Sequence, residues 1–318
     1  MKRRIALLLS VLLLTVAFIG CDNSTEPEMS DYEVLTTYLT ENNMDLTDVA
    51  SSWNTTAQDV QTNKDSYYLI DIRAAADYDA GHIEGAVNST LGNILQTAEN
   101  ADGKTPIVIC YSGQSAAHGV VALRLSGYTD AKTMLFGMSS WNDEFDVWSG
   151  RVGNEADNYA DAWSNEAPAA LEEYDPPEWD AAAEDGAGIL AERVEAMLNG
   201  GFKAVGATDV LSAPDTYFVN TYWAQSDWET YGHIDGAYRI FNPELSIKEG
   251  GIRNLNPDET IVTYCWTGQT SSIVTAYLSV LGYDARSLTF GVNGMIYDDL
   301  QSHKWSANNI LGGTYVTE

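Results

Sequence analysis

Two short phrases in this chain carry residue types suited to nucleophilic chemistry. Cys110-Tyr111-Ser112-Gly113-Gln114-Ser115-Ala116 follows the apolar run Pro106-Ile107-Val108-Ile109. Cys265-Trp266-Thr267-Gly268-Gln269-Thr270-Ser271 follows Ile261-Val262-Thr263-Tyr264. The chain holds only three cysteines, and two of them sit in near-copies of one phrase. If each apolar run is a strand and a helix starts within the phrase, the free N–H groups of the helix's first turn point toward the sulfur. Such a setting favours the thiolate, which is the nucleophile. Gly113 and Gly268 permit the backbone conformations of a tight cradle. Ser112, Ser115, Thr267 and Thr270 add hydroxyls. The composition suits an anion held over a nucleophilic sulfur. Two plainer readings of the cysteines are burial as small apolar residues and a Cys110–Cys265 disulfide. A core cysteine does not require the glycine and polar residues that follow. A disulfide needs Cα atoms within about 7 Å, and equivalent loops of two separate domains are not expected to come so close.

The elements that must position these phrases are also written twice. Gly81-His82-Ile83-Glu84-Gly85-Ala86 recurs as Gly232-His233-Ile234-Asp235-Gly236-Ala237. Leu125-Ser126-Gly127-Tyr128 recurs as Val280-Leu281-Gly282-Tyr283, displaced by the same number of residues as the cysteine phrases. Phe136-Gly137 recurs as Phe290-Gly291. Landmarks that keep order and spacing mean two copies of one domain. Each copy reads as a strand (67–72 and 217–220), a loop to the Gly-His-Ile turn, a second strand into the cysteine, then a helix. Ile273, Val274, Tyr277, Leu278 and Leu281 give the second helix its apolar face, and Val120, Val121, Leu123 and Leu125 give the first a weaker one. Gly127 and Gly282 are placed to end these helices. Short strands at 133–136 and 287–290 follow. This alternation predicts an α/β fold: two domains, each a small central parallel sheet flanked by helices. Chemistry then gathers beyond the carboxyl ends of the strands. A leading helix is expected at 32–40. Another carries Leu190, Val194 and Met197 on one face and stops at Gly200-Gly201.

Lys2, Arg3 and Arg4 precede an apolar stretch from Ile5 to Ile19 that is short for a membrane span and reads as an export signal. Phe18-Ile19-Gly20-Cys21 resembles the lipobox of bacterial lipoproteins, which implies lipidation at Cys21 and a lipid-anchored protein of the cell envelope, on its periplasmic or cell-surface face. The reading divides the chain into a signal (1–20), a polar tether (21–30), domain one (31–150), an acidic Ala- and Pro-containing linker (151–187) and domain two (188–318). The linker is expected to pack in part through Trp163 and Trp179. With 16 Lys+Arg against 46 Asp+Glu, the chain carries a formal charge of −30. Such a field excludes polynucleotide partners and repels anionic headgroups, so any membrane contact is through the lipid alone.

Strand, Cys-x-x-Gly-x-[Ser/Thr], helix and an upstream Gly-His-Ile-x-Gly-Ala together resemble the rhodanese (sulfurtransferase) family, and Asp71-Ile72-Arg73 matches that family's Asp-x-Arg. The resemblance covers roughly 45–150 and 188–310. It implies that Cys110 and Cys265 take a sulfane sulfur from a small donor, form persulfides and pass the sulfur to a thiol or a cyanide-like acceptor, with no metal or organic cofactor. It also implies that residues 111–116 and 266–271 bind the donor. The same fold serves phosphatases and arsenate reductases whose loop ends in arginine. Here that position is Ala116 or Ser271, which disfavours phosphate-ester chemistry. Neither loop carries Arg or Lys, so an anionic donor would rest on N–H groups and hydroxyls. Copy two is read with Asn220 and Tyr222 in place of Asp71 and Arg73, hence with a different scaffold under its loop. His82 and His233 are expected to be structural, each bonding backbone in a tight turn. His118 reads as a solvated or packing residue, and His303 has no partner in sequence. Tyr111 and Trp266 either wall the pockets or pack against the other domain. Gln114 and Gln269 are expected to offer backbone N–H groups while their side chains face solvent. The rival readings are a non-catalytic anion- or sulfide-binding module and a thiol-redox protein.

Overall fold

The computed structural model describes residues 29–318; the signal, Cys21 and most of the tether lie outside the described residues. The first copy runs through α1 (Asp31–Glu41), α2 (Leu46–Val49), β1 (Asn54–Thr55), α3 (Ala57–Thr62), β2 (Tyr67–Asp71) and α4 (Ala75–Ala80). It continues with β3 (Val87–Asn88), α5 (Ile94–Ala98), β4 (Thr105–Ile109), α6 (Gln114–Leu125), β5 (Lys132–Met134) and α7 (Met138–Trp141). A short β6 (Trp163–Ser164) lies between the copies. The second copy comprises α8 (Gly186–Asn199), β7 (Ala204–Val205), α9 (Ala207–Ser212), β8 (Phe218–Thr221), α10 (Gln225–Tyr231), β9 (His233–Ile234), β10 (Ile261–Tyr264), α11 (Gln269–Leu281) and β11 (Ala285–Leu288).

The first sheet has five strands in the order β1-β5-β4-β2-β3, and every pair is parallel. The second has four in the order β7-β11-β10-β8, also all parallel. The place of β3 is taken in copy two by the single bridge Asn220–Tyr238. β10 is buried along its whole length and β4 along all but its first residue. A parallel strand covered on both faces needs such an unbroken apolar run. In both sheets the strand that carries the cysteine is internal, so its carboxyl end opens onto the middle of the fold.

The two copies are not separate bodies. Helices α6 and α11 pack on each other, and one core cluster holds Val120 and Val121 together with Ile273, Val274 and Leu278. The helices that begin at the two cysteine loops thus lie side by side, while Cys110 and Cys265 are both free rather than bridged. The chain also exchanges arms. The segment after copy one donates Gly153 N–H to Asn293 O and Ala156 N–H to Met295 O. Its β6 pairs antiparallel with β9, the Gly-His-Ile turn of copy two. Trp163 and Trp179 donate their indole N–H to Tyr231 O and Leu281 O at 3.0 and 3.1 Å. The chain after copy two returns to copy one, where Val316 and His82 exchange both backbone bonds at 2.9 Å.

His118 is buried within the contact between the copies, with Phe202 edge-on at 5.8 Å and no hydrogen-bond partner for either ring nitrogen. It packs rather than meeting solvent. Burial, reinforced by Lys203, lowers its pKa from 6.5 to about 4. Between those values the unfolded chain binds a proton that the folded chain refuses, so stability falls as pH drops through that window. His118→Leu is expected to remove roughly 3 kcal/mol of that acid sensitivity. Urea midpoints taken on either side of the window would read it, and an unchanged pH dependence would contradict it.

Candidate active site

Cys110 follows β4 directly, and Gly113, at φ 82°, caps α6. Cys265 follows β10, and Gly268, at φ 73°, caps α11. The turn brings backbone N–H groups back over the sulfur. Cys110 Sγ accepts from Gly113 N–H at 3.1 Å and from Ala116 N–H at 3.4 Å. Cys265 Sγ accepts from Ser271 N–H at 3.3 Å and lies 3.6 Å from Ser271 Oγ, which in turn lies 2.8 Å from Ser287 Oγ. Both cysteines are free thiols, 5% and 2% exposed. Arg or Lys is absent from both loops, so the cradle is built from N–H groups. Among the described residues no cluster of three or more His, Cys, Asp or Glu could hold a metal ion.

The walls of the two sites differ. In copy one the Arg73 guanidinium lies 4.9 Å from the Tyr111 ring centre and 5.3 Å from that of Phe145. In copy two Trp266 stacks on His303 at 4.7 Å and lies 5.1 Å from Trp223. Tyr222 is buried beside the second loop; burial first, then Cys265, push its phenol up. His303 is a neighbour of the site that no repeat or motif marked. Phe136, Trp148, Phe290 and Trp305 form one aromatic cluster from both copies, and Trp148 donates its indole N–H to Ser112 O at 3.2 Å.

Asp71 and Arg73 form a buried pair beneath the first loop, at 2.7 Å between Arg73 Nη2 and Asp71 Oδ2. The equivalence of Asn220 and Tyr222 with this pair is corrected by the sheet register. Asp71 lies opposite Ile109, the residue before Cys110, and Thr221 lies opposite Tyr264, the residue before Cys265. The true counterparts are Thr221 and Trp223. A one-residue slip moves every side chain to the other face of a strand. Asn220 instead ties itself to Ile240, accepting its N–H and donating to its carbonyl. Copy two thus replaces the ion pair with Thr221, hydrogen-bonded to the Tyr264 hydroxyl at 2.7 Å, and the buried Trp223.

His82 stacks on Tyr78 at 3.7 Å and its Nδ1 lies 2.9 Å from Tyr78 O. His233 departs from the expected backbone bond: its Nδ1 is buried without a partner and its ring stacks on Trp228 at 3.4 Å. Burial lowers its pKa to about 4. Neither histidine is hydrogen-bonded to a loop sulfur. The expectation that Gln114 and Gln269 face solvent is also corrected. They are 2% and 0% exposed, and their Nε2 groups donate to Ser112 Oγ and Thr267 Oγ1 at 3.1 and 3.2 Å. Those two hydroxyls therefore brace the loops, while Ser115 and Thr270 stay half-buried at the rim.

A central parallel sheet, a cysteine at the end of an internal strand and an N-H cradle at the following helix define the class. The rhodanese-like domain family model matches residues 55–144 and 190–296, and the chain belongs to that family. Thiosulfate sulfurtransferase GlpE of Shewanella oneidensis is 31% identical over 83 residues, spanning 26% of this chain and 82% of that protein. GlpE of Haemophilus influenzae is 34% identical over 74 residues, 23% of this chain and 70% of that protein. Among solved structures, a thiosulfate sulfurtransferase from Pseudomonas aeruginosa is 16% identical with a TM-score of 0.31, covering 87% of this chain and 48% of that one. SseA from Escherichia coli, described as a 3-mercaptopyruvate sulfotransferase of rhodanese fold, is 18% identical with a TM-score of 0.27, covering 80% of this chain and all of that one.

Proposed function

We propose that the chain is a sulfurtransferase that carries sulfane sulfur as a persulfide on Cys110 and Cys265. The observation that carries this reading is the set of loop donors aimed at each sulfur, two N–H groups at 3.1 and 3.4 Å on Cys110, and the Ser271 N–H at 3.3 Å with its hydroxyl at 3.6 Å on Cys265. The thiolate attacks the sulfane sulfur of the donor. A new S–S bond forms, the donor's bond to that sulfur breaks, and the leaving group departs with the electron pair. A thiol or cyanide-like acceptor then attacks the outer sulfur and frees the thiolate. N–H groups aimed at the sulfur stabilise negative charge at each stage without reorganising. The GlpE relatives are named as thiosulfate sulfurtransferases, which supports a small anionic donor. We also propose, from the signal and lipobox, that Cys21 carries the lipid and that the protein works in the bacterial cell envelope.

Donor treatment followed by peptide mass spectrometry tests the chemistry. Each loop peptide should gain the mass of one sulfur atom, and cyanide should remove it. Loop cysteines that remain unmodified in the folded protein with thiosulfate and with an organic persulfide would sink the proposal.

A further inference from the structure

The side chains of Gln114 and Gln269 cross between the two copies. Gln114 opens α6 in the first loop, yet its Oε1 accepts the backbone N–H of Phe290 in copy two at 2.9 Å. Gln269 opens α11, and its Oε1 accepts the N–H of Phe136 in copy one at 2.9 Å. Each glutamine thereby ties its own loop to the segment that cups the other loop's cysteine. Past Phe136 and Gly137, Met138 donates its N–H to Cys110 O at 2.8 Å. Past Phe290 and Gly291, Val292 donates to Cys265 O at 3.1 Å. Phe136 and Phe290 hold φ 63° and 61°, a left-handed conformation that a bulky residue adopts only when its surroundings enforce it. The loop glycines make room for the exchange. A Cβ at Gly113 would stand 2.2 Å from Gln269 Oε1, and one at Gly268 would stand 2.4 Å from Gln114 Oε1.

We propose that Gln114 and Gln269 are reciprocal positioning residues. Each sets the geometry of the cysteine in the opposite copy, so the two loops form a coupled pair rather than two independent sites. Without the Gln269 acceptor, the Phe136 N–H would be buried without a partner, a state that native structures avoid. The turn from Phe136 to Met138 would relax, the Cys110 carbonyl would lose its fixed donor, and the N–H groups of Gly113 and Ala116 would move off the sulfur. The catalytic consequence rests on the sulfurtransferase reading; the coupling rests on the hydrogen bonds alone.

The test uses the full chain carrying Cys265→Ser, so that Cys110 is the reacting sulfur in the loops. Gln269→Met keeps the side chain's bulk and removes the acceptor. Gln269→Glu keeps an oxygen for the Phe136 N–H and can accept the Thr267 hydroxyl. Iodoacetamide alkylation reads how well the loop stabilises the Cys110 thiolate and needs no sulfur transfer. Gln269→Met is expected to slow both the alkylation of Cys110 and its sulfur transfer, each by roughly tenfold, with Gln269→Glu returning both to within about twofold of the parent. The mirror experiment pairs Cys110→Ser with Gln114→Met and reads Cys265. Unchanged alkylation of Cys110 in Gln269→Met, or a Gln269→Glu variant as altered as Gln269→Met, overturns the coupling. A parent that is alkylated but never persulfidated overturns the sulfurtransferase reading and leaves the coupling to its own readout.

Discussion

Replacing both Cys110 and Cys265 with serine is expected to abolish sulfur transfer, a loss of at least about a thousandfold. A serine hydroxyl stays protonated near neutral pH and cannot hold a transferable sulfane sulfur as cysteine does. The loop N–H groups would remain, but only to bind the donor. Each single variant should keep transfer through the other loop, because both sulfurs receive loop N–H groups. The two single variants should differ in donor preference. The remaining site of Cys265→Ser is walled by Tyr111 under a guanidinium, and that of Cys110→Ser by Trp266 stacked on His303. A small anion is favoured by the first wall, and an organic donor with apolar surface by the second. Steady-state rates with thiosulfate and with an organic persulfide, on protein whose circular dichroism matches the parent, would show this. A double variant that retains a tenth or more of the parent's rate would place the chemistry elsewhere.

Much of this site is legible in the sequence because the features that announce it are local. A strand, a cysteine, a helix-capping glycine and the hydroxyls that follow lie within a few residues of one another, and the repeat supplies the phrase twice. The exchange of Gln114 and Gln269 is not legible, since it joins residues more than a hundred positions apart. Nothing in a polar residue at a helix start says that its partner is on the other copy. The correspondence of Asp71 with Thr221 escapes the sequence for a different reason. Matching residue chemistry favours Asn220, but backbone register decides which residue lies under a loop, and the unequal chain lengths between that strand and its cysteine in the two copies hide the register from the sequence. His303 shows the limit from another side: it reaches Trp266 through a long irregular return of the chain that carries no period. The stretch 151–187 reads as a linker by composition, yet its backbone bonds to Asn293, Met295 and the second Gly-His-Ile turn make part of it a structural arm.

Asp71→Ala is expected to destabilise the protein by about 3–5 kcal/mol, because it leaves the Arg73 guanidinium buried without its counter-charge. Both side chains of the pair are 1% exposed. Asp71 accepts from Arg73 through Nε and Nη2 and also from its backbone N–H at 3.0 Å. What remains for Arg73 is the Gly81 carbonyl, at 2.6 Å from Nη2, while its Nη1 already lacks a partner. That guanidinium is wedged between Tyr111 and Phe145, so its rearrangement moves the residue next to Cys110. Transfer through Cys110 should therefore fall further than transfer through Cys265. Copy two shows that the fold does not need the charges, since Thr221 and Trp223 occupy the same places. Asp71→Thr combined with Arg73→Trp should accordingly cost less than Asp71→Ala alone, as replacing both members of a buried pair removes the orphaned charge. Urea unfolding of the three proteins decides the matter. A double variant less stable than Asp71→Ala would mean that the ion pair has a role in copy one that Thr221 and Trp223 do not supply in copy two.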